Sequence, residues 1–172
     1  LLMLTIYSEI HDPMPLLLAG LFHDLGKVGP DHAVVGVDIV NRVLSRIGCP
    51  DGTKEEVLFL VRRHLLLAET ATRGDLGDEK VVGRCARAIG SIDRLKMLYL
   101  VTCADSAATG SRAWNPWKAA LVEELFFKVL HILERGSLAG SDVERMIEQT
   151  RAEVKRRLET DFEPDEVDAA FE

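Results

Sequence analysis

Apolar residues recur along this chain at three- and four-residue intervals, and strict alternation is almost absent, so helices account for nearly all of it. Residues 1–10 read as a helix. His11-Asp12-Pro13-Met14-Pro15 reads as a turn in which Pro15 suits a first helical position. Residues 16–25 are apolar nearly all round, the pattern of a central buried helix, and Gly26 with Gly29-Pro30 ends it. A helix over 31–47 stops at Gly48-Cys49-Pro50-Asp51-Gly52, and Thr53-Lys54-Glu55-Glu56 has the form of a capping box opening a helix over 54–68. Residues 69–78 read as a polar loop, followed by helices over 79–89, 92–108 and 115–135, the last ending at Gly136. Ser141-Asp142-Val143-Glu144 repeats the capping-box pattern ahead of a further helix, and the tail from Phe162 is acidic and broken by Pro164. The expected fold class is all-α, a helical bundle with one domain over 1–139 and a C-terminal helix and tail over 140–172.

The ionisable residues that fall on apolar faces carry the chemistry. His23-Asp24 follows the most apolar helix and places one imidazole nitrogen and one carboxylate oxygen in the same small volume, half of a divalent metal site. Val57, Leu60, Val61 and His64 follow i, i+3, i+4, i+7, which puts His64 in the apolar stripe. Leu95, Leu98, Thr102 and Asp105 share a face in the same way, and His32 lines up with Gly36, Ile39 and Val43. Gly36 leaves room for another backbone to approach. A single inward histidine is more often a hydrogen-bonded core residue, and a single inward aspartate can anchor one helix to another. Five together each carry a desolvation cost that one metal site would offset for all. His11, in its turn, and His131, on a long amphipathic helix, read as structural or solvated.

Composition narrows the classes. A chain of 172 residues that is 47% hydrophobic and 28% charged suits one globular domain. A net charge of −7 excludes broad nucleic-acid binding, although a metal can hold a phosphate on an acidic protein. Cys49, Cys85 and Cys103 are odd in number and widely spaced, which suits a reducing, cytoplasmic compartment rather than a disulfide framework. The apolar run over 15–22 is too short to span a bilayer, so no membrane partner is expected. The chain begins at Leu1, inside a helical pattern and without an initiator methionine, and reads as a fragment of a longer protein.

The His23-Asp24 pair and the later Asp105 resemble the HD superfamily of metal-dependent phosphohydrolases, named for its histidine and aspartate ligands on a helical bundle. A narrower likeness covers about residues 15–136. Leu21-Phe22-His23-Asp24-Leu25-Gly26-Lys27, Asp31-His32, Val61-Arg62-Arg63-His64, Ala104-Asp105-Ser106-Ala107-Ala108-Thr109-Gly110 and Trp114-Asn115-Pro116-Trp117-Lys118 resemble the hydrolase domain of the bifunctional uridylyltransferase/uridylyl-removing enzymes. The resemblance implies an HD-domain helical bundle and a divalent metal held by His23, Asp24 and Asp105, with His32 and His64 serving a second ion. Manganese or magnesium comes first, with iron, zinc, nickel or cobalt as alternatives. It implies Asp24, Lys27, His32 and His64 as catalytic groups and the uridylylated PII signalling protein as substrate. It also implies flanking nucleotidyltransferase and regulatory ACT domains in the full-length protein. The family's first metal histidine belongs one helix upstream of the dyad, and His11 is too close to fill that role. Arg73-Gly74-Asp75 departs from the family pattern of a second basic residue before the aspartate.

Several residues keep two readings. Lys27 contacts a phosphate or pairs with Asp24. Arg73 guides substrate or is solvated, and Lys118 reaches phosphate or is solvated. Trp114 and Trp117 pack the start of their helix or stack on a base. With a single metal, His32 and His64 bind phosphate or carry a proton. Two competing functions stand beside the first, an HD phosphohydrolase acting on small nucleotides and an inactive HD-like scaffold.

Overall fold

The computed structural model describes residues 2–27, 32–111 and 113–136; the side chains of 32–35 lie outside that description. The chain divides into two compact units, Leu1–Leu133 and Glu134–Glu172, and the first carries the helices discussed here. They are α1 (Leu2–Ser8), α2 (Met14–Phe22), α3 (His32–Arg46), α4 (Asp51–Arg63), α5 (Leu66–Arg73), α6 (Glu79–Ile89) and α7 (Ile92–Thr109). An eighth helix, α8, covers 116–136, and no strand occurs among the described residues. The fold is all-α. The expected capping box at Ser141, its helix and the acidic tail lie outside the described residues. No helix among the described residues is long and apolar enough to cross a membrane.

Local chemistry sets most boundaries. The Asp78 side chain accepts from the Lys80 amide at 2.8 Å to open α6, and the left-handed Gly90 (φ 83°) closes it. Ser91 accepts from the Arg94 amide to open α7. Asn115 accepts from the Lys118 amide at 2.9 Å, which caps the start of α8.

Three sequence expectations require correction. α4 opens at Asp51 after Pro50 with no side-chain cap, and Asp51 pairs with Lys54 at 2.8 Å. Glu56 therefore closes no capping box; both its oxygens accept from Arg94 on α7, at 2.8 Å each, and that guanidinium also lies 4.6 Å over the Phe59 ring. The expected loop over 69–78 is helical as far as Arg73. Leu67 and Ala71 bury one face, and the Thr72 hydroxyl donates to the Ala68 carbonyl at 2.7 Å, so polar composition hid a short amphipathic helix. α2 is not buried all round: Pro15, Leu16 and Ala19 are buried, whereas Leu17 is 56% and Leu21 70% exposed. A helix that is apolar on every side carries no phase, so packing against α4 and α7 selects the face.

Val57, Leu60 and Val61 of α4, Leu95 and Leu98 of α7, and Leu125 and Val129 of α8 form the centre of the core. α3 crosses the turn after α2 closely: a Cβ on Gly36 would lie 3.4 Å from the Gly26 amide nitrogen and 3.5 Å from its Cα. The close approach expected of Gly36 is met there.

Gly74 ends α5 with its amide donating to the Thr70 carbonyl at 2.9 Å. A Cβ at this position would stand 2.6 Å from that oxygen and 3.0 Å from Val81 Cγ1. Gly74→Ala gains about 0.4–1 kcal/mol from the unfolded chain but meets an overpacking cost of about 1–3 kcal/mol. A net loss of about 1–2 kcal/mol is expected, read as a lower midpoint in thermal melting; an unchanged or raised midpoint would contradict this packing.

Candidate metal centre

The dyad lies just past α2. Residues 23–27 continue as tight turns, with the His23 amide donating to the Ala19 carbonyl at 2.8 Å and the Lys27 amide to the Asp24 carbonyl at 3.0 Å. Gly26 is buried under α3, so a bulkier residue at Gly36 would press on the loop that carries both side chains.

His23 is oriented from behind. Its Nδ1 lies 3.0 Å from the Gly20 carbonyl oxygen, which can only accept, so Nδ1 carries the proton and donates. In the neutral ring Nε2 then bears the lone pair. Nε2 lies 3.4 Å from Asp24 Oδ2 and 3.4 Å from Asp105 Oδ1. One ligand atom from each of His23, Asp24 and Asp105 lies within 4.8 Å of the others. Nε2 and Asp24 Oδ1 are buried without a hydrogen-bond partner among the described residues. With Nε2 unprotonated a lone pair faces two carboxylates, an arrangement that positive charge among them relieves. The donor set, one imidazole with its far nitrogen hydrogen-bonded and two carboxylates, fits a divalent ion such as manganese, iron or zinc.

Lys27 takes the pairing reading: its ammonium meets Asp24 Oδ2 at 2.6 Å. Burial pushes the Asp24 carboxyl up, but the Lys27 hydrogen bond and the neighbouring His23 outweigh it and hold it below the ordinary carboxylate value. The same hydrogen bond raises Lys27, with help from the charges of Asp24 and Asp105.

His64 follows α4 directly and is 2% exposed. Its Nδ1 donates to the Val61 carbonyl at 2.7 Å, and its ring meets the His23 ring edge-on with centroids 5.3 Å apart. Burial pulls its pKa below the ordinary imidazole value, so the ring is neutral at pH 7. The Thr102 hydroxyl donates to the His64 carbonyl at 3.2 Å, joining α7 to the end of α4 one turn before Asp105. The structure thus brings together His23, Asp24, Asp105, Lys27 and, through the His23 ring, His64. His32 heads α3, and its side chain lies outside the described residues.

A cleft of about 360 Å³ opens beside the cluster. Lys27 and Asp105 line it, together with Arg73, Thr109, Trp114 and Lys118. Arg73 is exposed and pairs with Glu69 at 3.3 Å. Trp114 packs against the core, but Trp117 is 62% exposed, so the expectation that both tryptophans pack the helix start holds for Trp114 alone. Pro116 opens α8 in Asn115's cap, which turns Trp117 outward on the first turn of that helix. Thr109, which the sequence places in the string around Asp105 without a role, donates its hydroxyl to the Asp105 carbonyl at 2.9 Å; its place four residues after Asp105 was the available signal.

The family model for the HD domain matches residues 1–98. Three bifunctional uridylyltransferase/uridylyl-removing enzymes are similar to the chain. Those of Streptomyces coelicolor, Gluconobacter oxydans and Xanthomonas campestris pv. campestris are 47%, 36% and 38% identical to it over 127, 148 and 132 residues. The matches cover 73%, 86% and 76% of this chain but 15%, 16% and 15% of those proteins, so the chain spans about one sixth of their length. No solved structure matches. Asp105 lies beyond the family match, and its Oδ1 stands 3.4 Å from His23 Nε2. With the fold, the dyad and the match over 1–98 in agreement, the chain belongs to the HD domain family.

Proposed function

We propose that this chain is a metal-dependent phosphodiester hydrolase module that removes UMP from a uridylylated tyrosine of the PII signalling protein. The observation that carries the reading is the convergence of His23, Asp24 and Asp105, with two buried ligand atoms that have no hydrogen-bond partner among the described residues. The names of the similar proteins supply the substrate class. On this reading residues 1–139 form the hydrolase domain and 140–172 lead towards a regulatory region. Nucleotidyltransferase and ACT domains flank them in a longer cytoplasmic protein.

His23, Asp24 and Asp105 would hold the ion. A divalent cation there supplies Lewis acidity to a phosphoryl oxygen and acidifies a water molecule. The chain's own residues do the rest. Gly20 fixes the His23 tautomer through Nδ1, so Nε2 is always the nitrogen offered to the centre. Lys27 places positive charge at the edge of the cluster, where a phosphate oxygen can compete with Asp24 for it. His64, neutral at pH 7, supplies an imidazole for a proton in transit or for a second ion, and His32 is assigned the same role from its place in the sequence. In the overall reaction a water oxygen joins phosphorus, the bond from phosphorus to the tyrosine oxygen breaks, and that oxygen leaves with a proton.

Near-isosteric Asp105→Asn removes one ligand charge and little else. Loss of an outer partner to a metal ligand already costs about 10–100-fold, so turnover of uridylylated PII is expected to fall roughly 100-fold or more. The melting midpoint should stay within a few degrees. Turnover at the original rate would sink the metal-centre reading, and an effect on stability alone would favour a scaffold. A panel of small nucleotide phosphoesters, run beside uridylylated PII, separates the small-nucleotide reading: faster turnover of the panel would displace the PII assignment.

Manganese should also act without any substrate. At a free concentration a hundredfold above Kd, mass action stabilises a folded protein by about 2.7 kcal/mol. The expected rise in melting midpoint is several degrees, reversed by a chelator and absent in Asp105→Asn. A wild-type midpoint indifferent to manganese counts against the site.

A further inference from the structure

We propose that the cleft running from Asp105 to Trp114 seats the nucleoside of a nucleotide substrate, its base against the Trp114 ring. The inference rests on the hydrolase reading only for setting the phosphate at the metal cluster. The cleft begins there, since Lys27 and Asp105 line it, and about 360 Å³ falls in the range of small-ligand pockets. Trp114 is held in place from both sides. Its amide donates to the Gly110 carbonyl at 2.9 Å, its side chain packs on the core, and the next residue caps α8. A ring fixed in this way offers a flat surface at low entropic cost.

The polar groups of the wall suit a nucleoside. The hydroxyls of Thr72 and Thr109 spend their protons on the carbonyls of Ala68 and Asp105, so each presents only lone pairs to the cleft. They can accept from ribose hydroxyls or from an imide N–H. Lys118 also lines the cleft and can donate to a base carbonyl. The competing occupant is the tyrosyl ring of the protein substrate. That ring carries a single oxygen, already used in the ester, and would leave those acceptors and Lys118 unmatched.

Trp117 is exposed, and the chain has two tryptophans, so Trp117→Phe makes Trp114 the sole indole reporter. With manganese present, UMP should quench this fluorescence saturably. Ribose 5-phosphate, which keeps the phosphate and lacks the base, should bind at least tenfold more weakly, as base stacking on an aromatic ring is worth about tenfold or more. By calorimetry, Trp114→Leu should weaken UMP about tenfold and Trp114→Phe should restore most of it. Lys118→Ala tests the same wall if Trp114→Leu fails to fold. Equal binding of UMP and ribose 5-phosphate overturns the proposal, as does quenching by phosphotyrosine in place of UMP, or no UMP binding at millimolar concentration. Hydrolysis of uridine 5′-(p-nitrophenyl) phosphate separates the two ideas. Hydrolysis without Trp114-dependent UMP binding removes the nucleoside seat and keeps the hydrolase, while such binding without hydrolysis does the reverse.

Discussion

Two carboxylates held against one imidazole nitrogen are the constraint around which this bundle is organised. Like charges brought within a few ångströms in a partly buried place repel, and each loses hydration. Nothing in the local chain would keep Asp24 and Asp105 together. Their meeting depends on elements far apart in sequence. Gly36 lets α3 lie on Gly26 and pin the turn that bears the dyad. Thr102 bonds the end of α4, and Arg94 grips Glu56 from the other end of α7, so the helix that carries Asp105 is fixed at two points along its length. Lys27 offsets part of the repulsion through Asp24, but its single contact leaves Asp24 Oδ1 and His23 Nε2 without a hydrogen-bond partner among the described residues. An arrangement this unfavourable in itself makes sense as a binding site for positive charge.

Helical phase carried most of what could be read beforehand. Asp105 shares a face with Leu95, Leu98 and Thr102, and those three are buried, so the direction of its side chain followed from spacing. His64 was legible for the same reason, since it continues the stripe of Val57, Leu60 and Val61 even though it lies just beyond the helix end. Gly36 was legible because only a missing side chain permits a helix to approach backbone so closely. Each of these is a local property of one helix. The distances among the groups are not local, and no periodicity states them.

Pattern failed where it was ambiguous or where a side chain had a stronger partner elsewhere. α2 is apolar on all sides, so the choice of Leu16 and Ala19 over Leu17 and Leu21 belonged to its neighbours. Thr53 and Glu56 have capping-box spacing, but a bidentate bond to Arg94 with an aromatic ring beneath it outweighs one amide at a helix start. Residues 69–73 look like loop because four of the five are polar or charged; the two apolar contacts that hold α5, at Leu67 and Ala71, are too few to register as a stripe. Asn115 showed the same problem in reverse: it drew notice as part of a string with two tryptophans, and its role is to cap α8.

The chemistry and the selectivity of the site sit on adjoining parts of one helix. α7 gives Asp105 to the candidate metal cluster and, within the next turn, Ser106 and Thr109 to the cleft lining. The hydroxyl of Thr109 bonds the carbonyl of Asp105, so a displacement of the wall is felt at the ligand's own backbone. Other lining residues come from α5, from the segment that leads into α8 and from α8 itself, none of which contributes to the cluster. Substitutions there can alter which phosphoester is held without touching the groups that act on phosphorus. The cluster needs only an imidazole and two carboxylates at fixed separation, a demand that many phosphoester hydrolases share. On the proposed reading, what distinguishes one substrate from another comes from the cleft lining, which holds a fixed indole, a lysine and hydroxyl oxygens with their protons already committed.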